Sequence, residues 1–148
     1  MVSSLTHSYA IGTPLLAPMY QRAYQKRAYF YGYTNGDILF GENLITSLHV
    51  VKQMITDGKM STKVLITGRR LEHRLQVRDR IVEDPYKANE QILKFAKLAN
   101  LGVANAQDYF IVTKYTYNWH TMPAYVIGRP AYDNCLVHMV VSRHDLYG

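Results

Sequence analysis

Helix-periodic segments and short apolar runs rich in strand formers alternate along this chain, and the alternation limits its folds more than any single motif does. From Pro14 to about Arg27 the positions Leu15, Met19 and Ala23, with the stem of Arg27, recur one turn apart, and a first turn tolerates Pro14. Tyr29 to Tyr33 reads as a buried strand. Leu44, Ile45, Leu48, Val51 and Ile55 mark a second helix, stopped by Asp57-Gly58. The run 63–67, KVLIT, predicts an interior strand. A third helix runs from an Asp84 N-cap and Pro85 to about Asn100, with Gly102 just beyond it. Residues 108–114 and 123–128 predict strands, and 131–144 a last helix. Connections of this length favour parallel pairing, so the expected fold is α/β, a mostly parallel central sheet flanked by helices.

The 148 residues suit a single domain, 1–148, with enough chain to bury a core. One cysteine, Cys135, excludes an internal disulfide and a Cys-x-x-Cys site. The charge-free stretch from Val2 to Gln21 is broken by Ser3, Ser4, Gly12, Pro14 and Pro18, so it reads as neither a leader nor a membrane span. Seventeen basic residues against eleven acidic give +6, which favours an anionic partner: a phosphate ester, a nucleic acid or an anionic membrane.

The stretch 31–40, YGYTNGDILF, poses the sharpest local question. Asn35-Gly36 suits a two-residue hairpin turn, in which Asp37 is a solvated turn residue. Only Ile38, Leu39 and Phe40 follow before Gly41, Glu42 and a helix. The alternative is a strand that ends in a loop leading into a helix, with Asp37 at its mouth, where α/β enzymes place a metal ligand.

The segments GTPLL (12–16), YGYTNGDILF (31–40), VLITGRR (64–70), DYFIVTK (108–114) and VIGRPAYDNCLV (126–137), in this order, resemble a glycosyltransferase-like family with the GT-A, nucleotide-diphospho-sugar transferase fold. The resemblance covers nearly the whole chain and implies transfer of a sugar from a nucleotide-sugar donor to an acceptor hydroxyl. It also implies Mn²⁺ or Mg²⁺ on an Asp-x-Asp-like pair, here Asn35 and Asp37, where a hard cation would stabilise the leaving diphosphate. Asn35 lacks the charge of the usual first residue. Asp133 is the implied proton acceptor, with local pairing to Arg129 or Asn134 as its alternative. Arg129, Arg69 and Arg70 are candidate phosphate contacts, with a solvated rim at the strand end as the alternative for Arg69 and Arg70, and Asp108 is a candidate for a sugar hydroxyl or simply the start of a strand. The chain begins at what would be the family's second helix. The expectation is therefore a truncated GT-A-like domain lacking most of its nucleotide pocket, with an exposed sheet edge open to self-association.

His138 is expected to be structural rather than a ligand, Cys135 buried, and Trp119 with Tyr115 and Tyr117 either core or a sugar-stacking surface. Two other readings compete. One is an inactive interaction domain of the same architecture. The other is a nucleic-acid-binding domain using Arg69, Arg70, Arg74, Arg78 and Arg80, but Glu72, Asp79, Glu83 and Asp84 dilute that cluster and no specific nucleic-acid partner is expected.

Overall fold

A computed structural model describes residues 12–76, 79–103, 107–129 and 132–144. In chain order the elements are α1 (Leu16–Ala23), β1 (Phe30–Thr34), α2 (Asn43–Thr56), β2 (Leu65–Ile66), β3 (Leu71–Glu72), α3 (Pro85–Leu98), β4 (Asn100–Leu101), β5 (Tyr109–Thr113) and α4 (Tyr132–His144). They fall into two compact units, each assembled from separated stretches. Unit 1 comprises Met1–Tyr33, Ser61–Thr67 and Tyr109–Gly148; unit 2 comprises Thr34–Met60 and Gly68–Asp108.

The helices start and stop for local reasons. Pro18 sits in the first turn of α1, where its missing N–H deprives no carbonyl of a partner. After α2, Gly58 takes φ +70°, a left-handed conformation that glycine enters without a steric penalty. Asp84 caps α3 by accepting from the Lys87 N–H at 2.9 Å, and Pro85 occupies the first helical position.

The mostly parallel, truncated GT-A-like sheet is not what forms. Two small antiparallel sheets take its place among the described residues, one ordered β1-β5-β2 and the other β3-β4. Leu65 and Ile66 face Val112 and Ile111; Leu71 and Glu72 face Leu101 and Asn100. The physical reason lies between Ile66 and Tyr109. A parallel crossover would lay a helix on the sheet, whereas this excursion forms part of a unit of its own, and the returning strand β5 meets β2 in the opposite sense. The strand expected over 123–128 is likewise reduced to one bridge, Leu15 to Val126, supported by the Leu16 N–H on the Tyr125 carbonyl at 2.9 Å.

The core belongs to unit 1. From α1, Leu16, Ala17 and Tyr20 turn inward at helical spacing against Tyr31, Phe110, Val112, Tyr117, Trp119, Tyr132 and Leu136. Tyr20 and Trp119 stack with ring centroids 4.2 Å apart and planes within 5°, and Tyr24 meets Trp119 edge-on at 6.4 Å. The Tyr20 hydroxyl donates to the Phe110 carbonyl at 2.6 Å and accepts from the Tyr33 N–H at 3.1 Å. Unit 2 buries far less. Ile55 is its buried hydrophobic residue among those described, while Ile45, Leu98, Leu101 and Val103 lie more than half exposed.

Burial pushes the Tyr20 phenol well above the ordinary tyrosine range, despite the opposing hydrogen bond from Tyr33. The neutral form is therefore the one the fold holds. Its contribution to stability is complete below about pH 10 and is lost as pH rises from there toward the raised folded-state value. Replacing Tyr20 by Phe is expected to cost about 1–3 kcal/mol at neutral pH, because the Phe110 carbonyl and the Tyr33 N–H lose a buried partner. Denaturant titrations at pH 7 and pH 11 check this: the gap between Tyr20→Phe and wild type should narrow at the higher pH.

Candidate functional site

In unit 2 the expected metal and sugar residues come together, but with each other. Asn35 places its backbone N–H on the Asp108 carbonyl at 2.9 Å and its amide Nδ2 on Asp108 Oδ1 at 2.8 Å. The other carboxylate oxygen of Asp108 takes the Arg70 guanidinium, which also pairs with Glu72 at 2.9 Å. Both neighbours hold the Arg70 guanidinium above its ordinary range, Asp108 contributing most. Arg69 turns its Nε and Nη2 onto the Gly102 carbonyl. The approach to Gly102 is close: a Cβ there would lie 3.1 Å from the Arg70 and Glu72 side chains and 3.2 Å from the Arg70 carbonyl, so a larger residue would have to push them aside.

Asp37 stands apart, exposed in the turn at 36–37 that leads from β1 toward α2. Segment 38–40 does not return as a strand. These residues do not suit a divalent cation. Asn35 presents amide hydrogens to Asp108, the oxygens of Asp108 already serve Asn35 and Arg70, and Asp37 is a single carboxylate. No group of three or more His, Cys, Asp and Glu that could hold a metal ion occurs among the described residues.

The other expected positions lie in unit 1. Asp133, in the first turn of α4, accepts from the neighbouring Asn134 N–H at 2.9 Å, the local pairing that was its alternative. Arg129 is exposed in a turn closed by its own N–H on the Val126 carbonyl at 3.3 Å. His138 is exposed beside the Ser142 hydroxyl, 3.1 Å from Nε2, and Cys135 is half-buried next to Tyr125, whose phenol it pushes upward through a hydrogen bond. Trp119 and Tyr117 are core, whereas Tyr115 is 67% exposed.

What the fold gathers instead is positive charge at one end of unit 1. Here β5 finishes at Thr113 and turns through Lys114 and Tyr115, closed by the Thr116 N–H on the Thr113 carbonyl at 3.2 Å. Thr113 Oγ1 donates to the Thr62 carbonyl and accepts from the Val64 N–H at 3.2 Å, while Thr116 Oγ1 donates to the Val64 carbonyl at 2.7 Å. Lys63 lies between those two partners. The Tyr24 hydroxyl donates to the Thr113 carbonyl at 3.2 Å and accepts from the Trp119 indole at 2.8 Å, bringing the last turn of α1 to the same end. Tyr31 then holds the Lys26 carbonyl at 2.8 Å. Arg22, Lys26 and Arg27 lie within three residues of Tyr24, and Lys63 and Lys114 adjoin Thr62, Val64 and Thr113; all five are exposed.

The chain matches no family model, and no curated protein or solved structure matches it significantly.

The charge is divided unevenly between the units. Unit 1 carries Arg22, Lys26, Arg27, Lys63, Lys114, Arg129 and Arg143 against Asp133 and Asp145; unit 2 carries ten basic residues against nine acidic. The ion pairs among the described residues, Lys59 with Asp57 and Arg70 with Glu72 and Asp108, all lie in unit 2. The arginines of 69–80 stand out because they are close together in sequence, whereas the cations of this end come from three separate stretches. The usable signal was the lack of any acidic residue from Val2 through Tyr33, in 61–67 and from Tyr109 through Tyr132.

The Asp108 cluster is therefore expected to act on stability alone. Asp108→Ala should lower stability by about 1–2 kcal/mol, modest because Arg70 keeps roughly a third of its side chain in solvent. Asp37→Ala should leave the melting temperature unchanged. Adding Mn²⁺ should move neither the wild-type nor the variant melting curve, which differential scanning fluorimetry checks.

Proposed function

We propose that this chain is a nucleic-acid-binding module whose contact surface is the cationic end of unit 1. The observation that carries the reading is the segregation of charge: Arg22, Lys26, Arg27, Lys63 and Lys114 all belong to unit 1, are exposed, and have no ion-pair partner among the described residues. Exposed cations held close together repel one another, and a polyanion relieves that repulsion while releasing its own condensed counterions. The acidic residues that dilute the arginines of 69–80 belong to unit 2.

A nucleic acid suits this end better than a bilayer does. Anchoring in a bilayer calls for aliphatic side chains that insert below the headgroups, and the large exposed hydrophobics of unit 1 among the described residues are Tyr29, Tyr115 and Val141. No described helix is long and apolar enough to cross a membrane. The glycosyl-transfer reading rests on the sequence resemblance alone. It makes a different forecast, Mn²⁺-dependent binding of a nucleoside diphosphate that Asp37→Ala abolishes.

The decisive measurement is binding of a mixed-sequence polynucleotide as a function of salt. The logarithm of the association constant should fall linearly with the logarithm of salt concentration. Reversing Lys63 and Lys114 together to Glu should weaken binding and make the slope shallower by about two phosphate contacts. Reversing Lys94 and Lys97 on α3, the same change in net charge placed in unit 2, should leave both nearly intact. Equal losses from the two double variants, or retention on phosphatidylserine vesicles with none on the polynucleotide, would remove the proposal.

A further inference from the structure

We infer that the Lys114-Tyr115 turn is a base-stacking platform, so that the preferred ligand of the cationic end is a single strand rather than a duplex. The inference rests on the nucleic-acid reading and deepens it. Among the aromatic residues that follow β5, Tyr117 and Trp119 are each 4% exposed, whereas Tyr115 is 67% exposed. An exposed phenol ring offers a flat apolar face that a base can cover. In a duplex that face of the base is already occupied by its neighbours in the stack; in a single strand it is available.

Position and rigidity both favour this role. Tyr115 follows Lys114 directly, and Lys63 sits between Thr62 and Val64, whose backbone groups bond to Thr113 and Thr116 on either side of the turn. Cations that can meet phosphates therefore flank the ring, in the combination of charged track and aromatic face that binds single strands with little regard for sequence. The turn is held from beneath by Thr113 and Thr116, 5% and 2% exposed, with their hydroxyl oxygens 2.9 Å apart and both engaged with the segment 62–64 that leads into β2. Tyr24 fixes the same carbonyl from the side of α1. A ring carried on backbone that is already ordered gives up little further freedom on binding. Tyr29, 40% exposed near the start of β1, packs edge-on against Phe30 with centroids 4.9 Å apart, which leaves Tyr115 as the freer face.

The test compares wild type, Tyr115→Ala and Tyr115→Phe for binding to a fluorescein-labelled mixed-sequence single-stranded oligonucleotide, to the same sequence as a duplex, and to heparin, a polyanion without bases. Wild type should bind the single strand more tightly than the duplex. Tyr115→Ala should weaken single-strand binding about ten-fold or more, Tyr115→Phe should retain it, and all three proteins should elute from heparin at the same salt. Because Tyr115 lies outside the core, their melting temperatures should agree, so a loss of affinity will not reflect unfolding. Single-strand binding unaltered in Tyr115→Ala, or weakened in parallel with heparin retention, would overturn the stacking inference and leave the nucleic-acid reading standing. Wild type that binds neither form of the oligonucleotide would overturn both.

Discussion

Strand β5 lies between β1 and β2, and four of its five residues, Phe110 to Thr113, are buried. Each polar group on such a strand needs a partner inside the protein, because water is excluded from it. Thr113 meets that requirement with one hydroxyl that both donates to Thr62 and accepts from Val64, and Thr116 satisfies the second Val64 group. At the other end of β5 the Phe110 carbonyl is taken by Tyr20 as well as lying in the sheet. Among the described residues no fully buried side-chain nitrogen or oxygen lacks a partner. Unit 1 is thus organised around one strand whose polar atoms recruit the tyrosines and threonines packed about it, and the aromatic stack of Tyr20, Tyr24 and Trp119 follows from where those hydroxyls must point.

The two units use their side chains in opposite ways. Unit 1 concentrates apolar and aromatic residues inside and leaves Arg22, Lys26, Arg27, Lys63 and Lys114 exposed, with no ion pair among its described residues. Unit 2 balances its charge nearly to neutrality and ties Arg70, Glu72, Asp108 and Asn35 into one polar cluster, yet leaves many large aliphatic side chains in solvent. The cluster pairs residues suited by type to a metal or a sugar hydroxyl with one another. Each oxygen of the Asp108 carboxylate already has a partner within the protein, the Asn35 amide on one and Arg70 on the other.

Much of the secondary structure was legible in the residues. The Asp84-Pro85 start of α3, the Asp57-Gly58 stop of α2 and the strand at 109–113 all stand where capping and periodicity put them, because these signals act within a few residues. Sheet architecture was not legible. Alternating helices and strands imply parallel pairing only when each helix packs back on the sheet, and nothing local distinguishes that case from helices gathered into a second unit. The partners of the candidate site residues were not legible for a related reason. Asn35 and Asp37 are neighbours in sequence, but Asp108 and Arg70 decide what Asn35 does. Conversely, the Tyr24–Thr113 bond ties the end of α1, near Lys26, to the end of β5, next to Lys114, across 89 residues of sequence.

Unit 1 is interrupted twice by segments of unit 2. Its central strand comes from the last third of the sequence, although both flanking strands precede it by dozens of positions. During synthesis β1 and β2 emerge with nothing to lie between them, and they must wait as unpaired apolar segments until β5 leaves the ribosome. Closure over so long a span is entropically slow and leaves sticky edges uncovered in the meantime, which makes the interval before β5 arrives the time when this chain is most dependent on chaperones.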